Sequence, residues 1–121
     1  MSSRNKEVVE RVNAAFAANN LEGFLAQCAD EVEWTMVGEK TCQGKAAIRD
    51  WMKAMPVEPP VFNVATLIAE GDLVMAQGDM TMNEKERPAV PYAYCDIYRF
   101  RGDKIVELKS FVIKTDAAAS A

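Results

Sequence analysis

From Val61 onward the chain alternates apolar and polar positions with a period of two. The segments "VFNVATLIAE" and "LVMAQGDMTM" flank Gly71-Asp72, while "VPYAYCDIYRF" and "KIVELKSFVIKT" flank Arg101-Gly102-Asp103. Alternation on both sides of a short glycine-containing turn predicts two β-hairpins, with "NEKERPAVP" as a longer loop between them. Before residue 61 the period is helical. Val8, Val9, Val12, Ala15 and Phe16 fall on one face of a helix over 4–18 that ends near Asn19-Asn20. A second helix is predicted from an Asn20 N-cap through "NLEGFLAQCADEV", burying Leu21, Phe24, Leu25 and Cys28. "VEWTMV", 32–37, reads as a short strand and 38–44 as a loop. "GKAAIRDWMKAM" is a third helix, closed by Pro56, Pro59 and Pro60.

Three helices followed by a meander of long strands predict an α+β fold, with the helices packed on one face of a strongly curved antiparallel sheet. Such a sheet wraps a cone, and a cone that side chains do not fill is a pocket. The 121 residues suit a single domain over 1–121, with 116–121 a frayed tail.

Composition narrows the chemistry. The net charge of −4 comes without a cationic block, so nucleic acid is not an expected partner. Neither an apolar leader nor a bilayer-length apolar run is present, so a cytoplasmic protein without a membrane partner is expected. Cys28, Cys42 and Cys95 are too scattered for a disulfide framework or a zinc site. The absence of histidine removes Ser-His-Asp and Cys-His catalysis and the HExxH metal site. No metal and no other cofactor is expected, since no ligand cluster or phosphate loop stands in the sequence.

One residue breaks the hydrophobic pattern. In "YAYCDIYRF", Asp96 shares a strand face with Tyr92, Tyr94, Tyr98 and Phe100, while Ala93, Cys95, Ile97 and Arg99 take the other. A carboxylate among aromatic rings is at a wet edge, paired, or protonated. Inside the cone, Asp96 is expected to hold its proton well above the ordinary range, chiefly through desolvation. Asp79, beside Gln77 and Thr81, is expected on the convex face, and Glu31 and Glu33 on the surface.

The order helix, helix, strand, "GKAAIRDWM" helix and "DIYRFRGDKIVELKSF" resembles the NTF2-like (cystatin-like) superfamily, specifically the SnoaL-like polyketide cyclases and ketosteroid isomerases. The resemblance covers nearly the whole chain. It places Asp96 at the isomerase's hydrogen-bonding aspartate, but Trp34 at its general base and Val12 near its oxyanion tyrosine. The standard isomerase mechanism is therefore not implied. The positions that carry the Asp-Arg-Asp arrangement of limonene-type epoxide hydrolases look like Gly78, Met80 and Ser110, so that activity is not expected. A SnoaL-like cyclase needs only one carboxylate acting on an acidic carbon, so Asp96 with Tyr94 and Tyr98 is the catalytic candidate.

The superfamily register turns Trp34, Met36, Ala76, Gly78, Met80, Leu108, Ser110 and Val112 inward beside Tyr92, with Trp51, Met52 and Met55 descending from the third helix. This apolar, methionine-rich lining suits a small hydrophobic carbonyl compound of polyketide, steroid or terpenoid type. The competing expectation is a binding or assembly module without chemistry, in which Asp96 makes a structural hydrogen bond. Met75, Cys95, Ile97, Phe111 and Ile113 face outward, and an apolar patch of that size is expected to be covered in a homodimer.

Overall fold

The computed structural model describes residues 2–54, 61–84 and 87–115. Met55, the three prolines after it and the tail 116–121 lie outside these residues. Three helices, α1 (Ser2–Ala17), α2 (Leu21–Leu25) and α3 (Lys45–Ala54), pack on six strands. The strands are β1 (Cys28–Met36), β2 (Lys40–Gln43), β3 (Val61–Glu70), β4 (Leu73–Glu84), β5 (Arg87–Arg101) and β6 (Lys104–Lys114). They form one sheet in the order β2-β1-β6-β5-β4-β3.

The sheet differs from the expected antiparallel meander at its N-terminal side. β1 runs parallel to β6, pairing Trp34 with Leu108 and Met36 with Ser110, while every other neighbouring pair is antiparallel. The predicted second helix also stops early. Asn20 does cap it, its Oδ1 accepting from the Gly23 amide at 3.1 Å. After Leu25, however, the chain turns into β1, where the Ile105 amide donates to the Gln27 carbonyl and Cys28 pairs with Ile105. A long-range partner strand thus overrides the helical spacing of Leu21, Leu25 and Cys28. β2, in the segment read as a loop, is held by β1 through a Thr35–Thr41 hydroxyl contact of 3.0 Å and the Gln43–Glu33 hydrogen bond of 2.9 Å. The connection between β4 and β5 is also shorter than expected, because Glu84 already pairs with Arg87.

The helix faces meet the concave face of the sheet. Val9 and Val12 of α1, Phe24 and Leu25 of α2 and Ile48 of α3 are buried against Val32, Trp34, Val74, Ala76, Tyr98, Phe100, Ile105 and Leu108. These residues fill the narrow end of the cone. The two hairpin turns use Gly71 (φ 59°) and Gly102 (φ 64°) in the left-handed region that a side chain disfavours. Among the described residues, no helix is long and apolar enough to cross a membrane.

Gly78 has a different constraint. The β3 register shifts between Val64 and Thr66, and the bulged backbone comes across Gly78 so closely that a Cβ there would collide with the Asn63 carbonyl oxygen. Gly78 therefore admits the bend of the sheet and offers no side-chain surface to a pocket. Gly78→Ala is expected to lower stability by on the order of 1–3 kcal/mol, read as a reduced urea midpoint with an unchanged slope. An unchanged midpoint would show that β3 does not press on this position.

Candidate functional site

β5 lies between β4 and β6, and its alternation is fixed from both sides. Tyr94 pairs with Gly78 and Val112, Asp96 with Ala76 and Ser110, and Tyr98 with Val74 and Leu108. The exposure along this face is uneven. Tyr98 and Ala76 are fully buried, Ser110 is 4% exposed and Tyr94 5%, yet Asp96 is only partly covered. Its cross-strand neighbours are small, so the side chain lies deep on the concave face while the residue as a whole keeps part of its surface.

Desolvation raises the Asp96 carboxyl to about 6, opposed by a hydrogen bond from Ser110. Burial also pushes Tyr94 to about 12, reinforced by the charges of Asp96 and Asp79. Tyr98 is raised well above the ordinary tyrosine range, again first by burial and then by Asp96. Both phenols therefore stay neutral, as potential donors. The Tyr98 hydroxyl is buried without a hydrogen-bond partner among the described residues.

Trp34 forms one wall. Its ring packs at 5.5 Å from Phe24, 6.0 Å from Phe16 and 5.3 Å, edge-on, from Trp51. Its indole Nε1 donates to Ser110 Oγ at 2.9 Å. The register alone placed Trp34 and Ser110 on the same face, but not this bond. Pairing of Trp34 with Leu108 and of Met36 with Ser110 across the parallel β1–β6 ladder is what brings indole and hydroxyl together.

The other candidates separate by depth. Leu108, expected to line the pocket, and Tyr98, a catalytic candidate, are both fully buried in the core. Met36, Trp51 and Met52 are half-buried and packed on the core, while Met80, Tyr92 and Val112 are half-buried along the wider part of the face. Lys40 lies 5.5 Å from the Trp51 ring centre and Lys114 5.9 Å from that of Tyr92. Met55 is outside the described residues. Asp79 is exposed, as expected of the convex face, and accepts a 3.4 Å hydrogen bond from Asn63.

An open groove of about 380 Å³ elsewhere is lined by Cys28, Ala29, Asp30, Glu31, Lys45, Arg101 and Lys104. Lys45 contacts Asp30 at 3.6 Å and Arg101 contacts Glu31 at 2.7 Å. Burial raises the Cys28 thiol to about 12, so it stays protonated. With Lys45 and Arg101 paired to carboxylates, Lys104 bonded to the Ala26 carbonyl at 3.0 Å and the thiol inert, this groove is a weaker candidate than the face around Asp96.

The raised carboxyl has a consequence for stability. Between the ordinary aspartate value of 3.8 and about 6, the folded protein binds more protons than the unfolded chain, so stability falls as pH rises through that window and levels off above it. Asp96→Asn removes the cost of burying the charge. It is expected to stabilise the protein at pH 7.5 by on the order of 2–3 kcal/mol, with the gain vanishing near pH 4. Urea unfolding of both proteins across this range checks it, and a gain that does not depend on pH would contradict the assignment.

Comparison with known proteins agrees with this architecture. The chain matches the SnoaL-like domain family over residues 9–108. No curated protein matches the sequence significantly. An NTF2-like protein of unknown function from Burkholderia pseudomallei superposes with a TM-score of 0.84 at 18% identity, over 96% of this chain and 94% of that one. TerC, co-crystallised with polyporic acid, superposes with a TM-score of 0.82 at 19% identity, over 97% and 95%. An LEH-like epoxide hydrolase of M. tuberculosis gives 0.78 at 14% identity, over 92% and 84%. At these identities the superpositions establish the NTF2-like fold alone, and the family match covers most of the sequence: the chain belongs to the SnoaL-like domain family.

Proposed function

We propose that this SnoaL-like domain binds a small hydrophobic carbonyl compound, of polyketide, steroid or terpenoid type, on its concave face and that Asp96 transfers a proton next to the carbonyl. The observation that carries the reading is a carboxylate deep on an apolar face, with its proton affinity raised to about 6 by burial. Near neutral pH such a group is ionised often enough to accept a proton and basic enough to pull one. In the step proposed, the C–H bond next to the carbonyl breaks and its proton passes to an Asp96 oxygen. The electron pair moves onto the carbonyl oxygen, and a neutral hydroxyl such as that of Tyr94 would stabilise the enolate. Return of the proton to another carbon is an isomerisation, and attack of the enolate carbon on a second carbonyl is an aldol cyclisation. TerC, crystallised with polyporic acid, supports the fold as a host for a small organic molecule.

The second reading is a binding or assembly module without chemistry. Trp34 at the base position of the isomerases, locked among three other aromatic rings, and the fully buried Val12 favour it. Ligand-dependent melting with steroid, polyketide and terpenoid ketones, followed by deuterium exchange at the carbon next to the carbonyl, separates the two. Stabilisation by a ketone with exchange that Asp96→Asn abolishes is the expected outcome. Stabilisation without Asp96-dependent exchange would establish the module.

We also propose a homodimer through the convex face. Ile97 pairs with Met75 and Met75 with Ile68, Cys95 pairs with Phe111, and Ala93 with Ile113, so the apolar side chains adjoin across four strands. Ile113 is 65% exposed, Ile68 52% and Phe111 38% in the single chain. Sedimentation at micromolar concentration is expected to show a dimer that Phe111→Asp dissociates. A wild-type monomer would refute it.

A further inference from the structure

We infer that Ser110, held by the Trp34 indole, is a positioning residue that orients the Asp96 carboxyl and reserves one of its two oxygens for proton exchange. The inference rests on the reading of Asp96 as the proton-transfer group, and it adds two residues to which that reading gives no part beyond the wall of the site.

An indole N–H can only donate, so Ser110 Oγ must accept at the 2.9 Å contact. A serine hydroxyl has one hydrogen, and with the oxygen engaged by Trp34 that hydrogen is left for the cross-strand neighbour, Asp96. The chain therefore runs from Trp34 to Ser110 to Asp96, the indole donating to the hydroxyl and the serine hydrogen being the one offered to the carboxylate. The oxygen that accepts from Ser110 is occupied. A proton taken from a ligand goes to the other oxygen.

Trp34 gives the chain its rigidity. Its ring is 8% exposed and packed by Phe16, Phe24 and Trp51, one from each helix, so the indole cannot rotate away from Ser110 without disturbing the core. Ser110 is itself 4% exposed and strand-borne. The remaining groups around Asp96 do not compete. β4 presents Ala76, β5 presents the neutral Tyr94 and Tyr98, and the Cys28 thiol of β1, near Tyr98, is protonated. Burial and the Ser110 hydroxyl set the proton affinity of Asp96, with no charged side chain taking part. Deleting one neutral hydroxyl should therefore be visible in its titration.

The test is carbon-13 titration of the Asp96 carboxyl together with the Trp34 indole N–H resonance in the full chain. In the wild type the indole resonance is expected to move with the same midpoint as the carboxyl, because the hydrogen bond between them transmits the change of charge. Ser110→Ala is expected to raise the carboxyl midpoint by on the order of one pH unit, and Ser110→Thr to return it towards the wild-type value. Trp34→Phe is expected to raise it less, since the serine hydroxyl remains. Where a ketone exchanges deuterium, the pH profile of exchange should shift upward with the carboxyl midpoint in Ser110→Ala, which a merely structural serine would not cause. An indole resonance that ignores the titration in the wild type, or a carboxyl midpoint unmoved in folded Ser110→Ala, overturns the inference. A shifted midpoint with no exchange of any ketone leaves the hydrogen-bond chain standing and removes the proposed chemistry instead.

Discussion

The register of β5 is the constraint on which the rest depends. From Tyr92 to Arg99 each residue has a partner in both β4 and β6, so neither neighbour can slide without the other. A slip of one position would turn Tyr94, Asp96 and Tyr98 to the convex side and bring Cys95 and Ile97 inward. Tyr98 is completely buried, and exposing a side chain of that size forfeits roughly 1.5–3 kcal/mol of apolar burial. The tyrosines thus hold the register, and the register holds the aspartate. Asp96 occupies an unfavourable position because its neighbours along the strand gain more from theirs.

One side chain of the sheet touches an aromatic ring from each of the three helices. Phe16 of α1, Phe24 of α2 and Trp51 of α3 all have their rings within 6.0 Å of Trp34 on β1. A tryptophan so placed is apolar on both faces but carries one N–H that needs an acceptor when water is excluded. Ser110 supplies it from the adjacent parallel strand. The packing that fixes the helices on the sheet therefore also fixes a hydroxyl beside Asp96, and core and candidate site share two residues.

What the sequence revealed depended on how locally each feature is determined. The strands from Val61 onward are legible because alternation is a property of each strand by itself, and the turns at Gly71 and Gly102 need a backbone conformation that glycine favours. Asp96 could be placed on the inward face for the same reason. The segment from Cys28 to Val32 misled because its apolar spacing fits a helix, and only the distant β6 decides otherwise. β2 has four residues and one buried side chain, Cys42, too little for a pattern. The Trp34–Ser110 bond joins residues 76 positions apart through the parallel β1–β6 pairing, which nothing in either segment signals. Register alone makes Gly78 a lining position, while its role comes from the bulge in β3, to which a lone glycine within a strand is the one local pointer.

The proton affinity of Asp96 follows from which partner the fold supplies. An arginine or lysine against the carboxylate would lower its pKa by roughly one to three units and hold it charged, as Arg49 lowers Glu22 on the surface of this same protein. Such a carboxylate is too weak a base for a carbon acid. Burial with no partner drives the value the other way, until the group is protonated at neutral pH and no longer acts as a base. A single neutral donor, Ser110, lies between these extremes: it favours the charged form without contributing a charge. The result near 6 is close to the value at which the fraction ionised and the strength of the base are jointly largest at neutral pH. A small cross-strand hydroxyl thereby does in this chain, which has no histidine, what an imidazole's ordinary pKa does in many other sites.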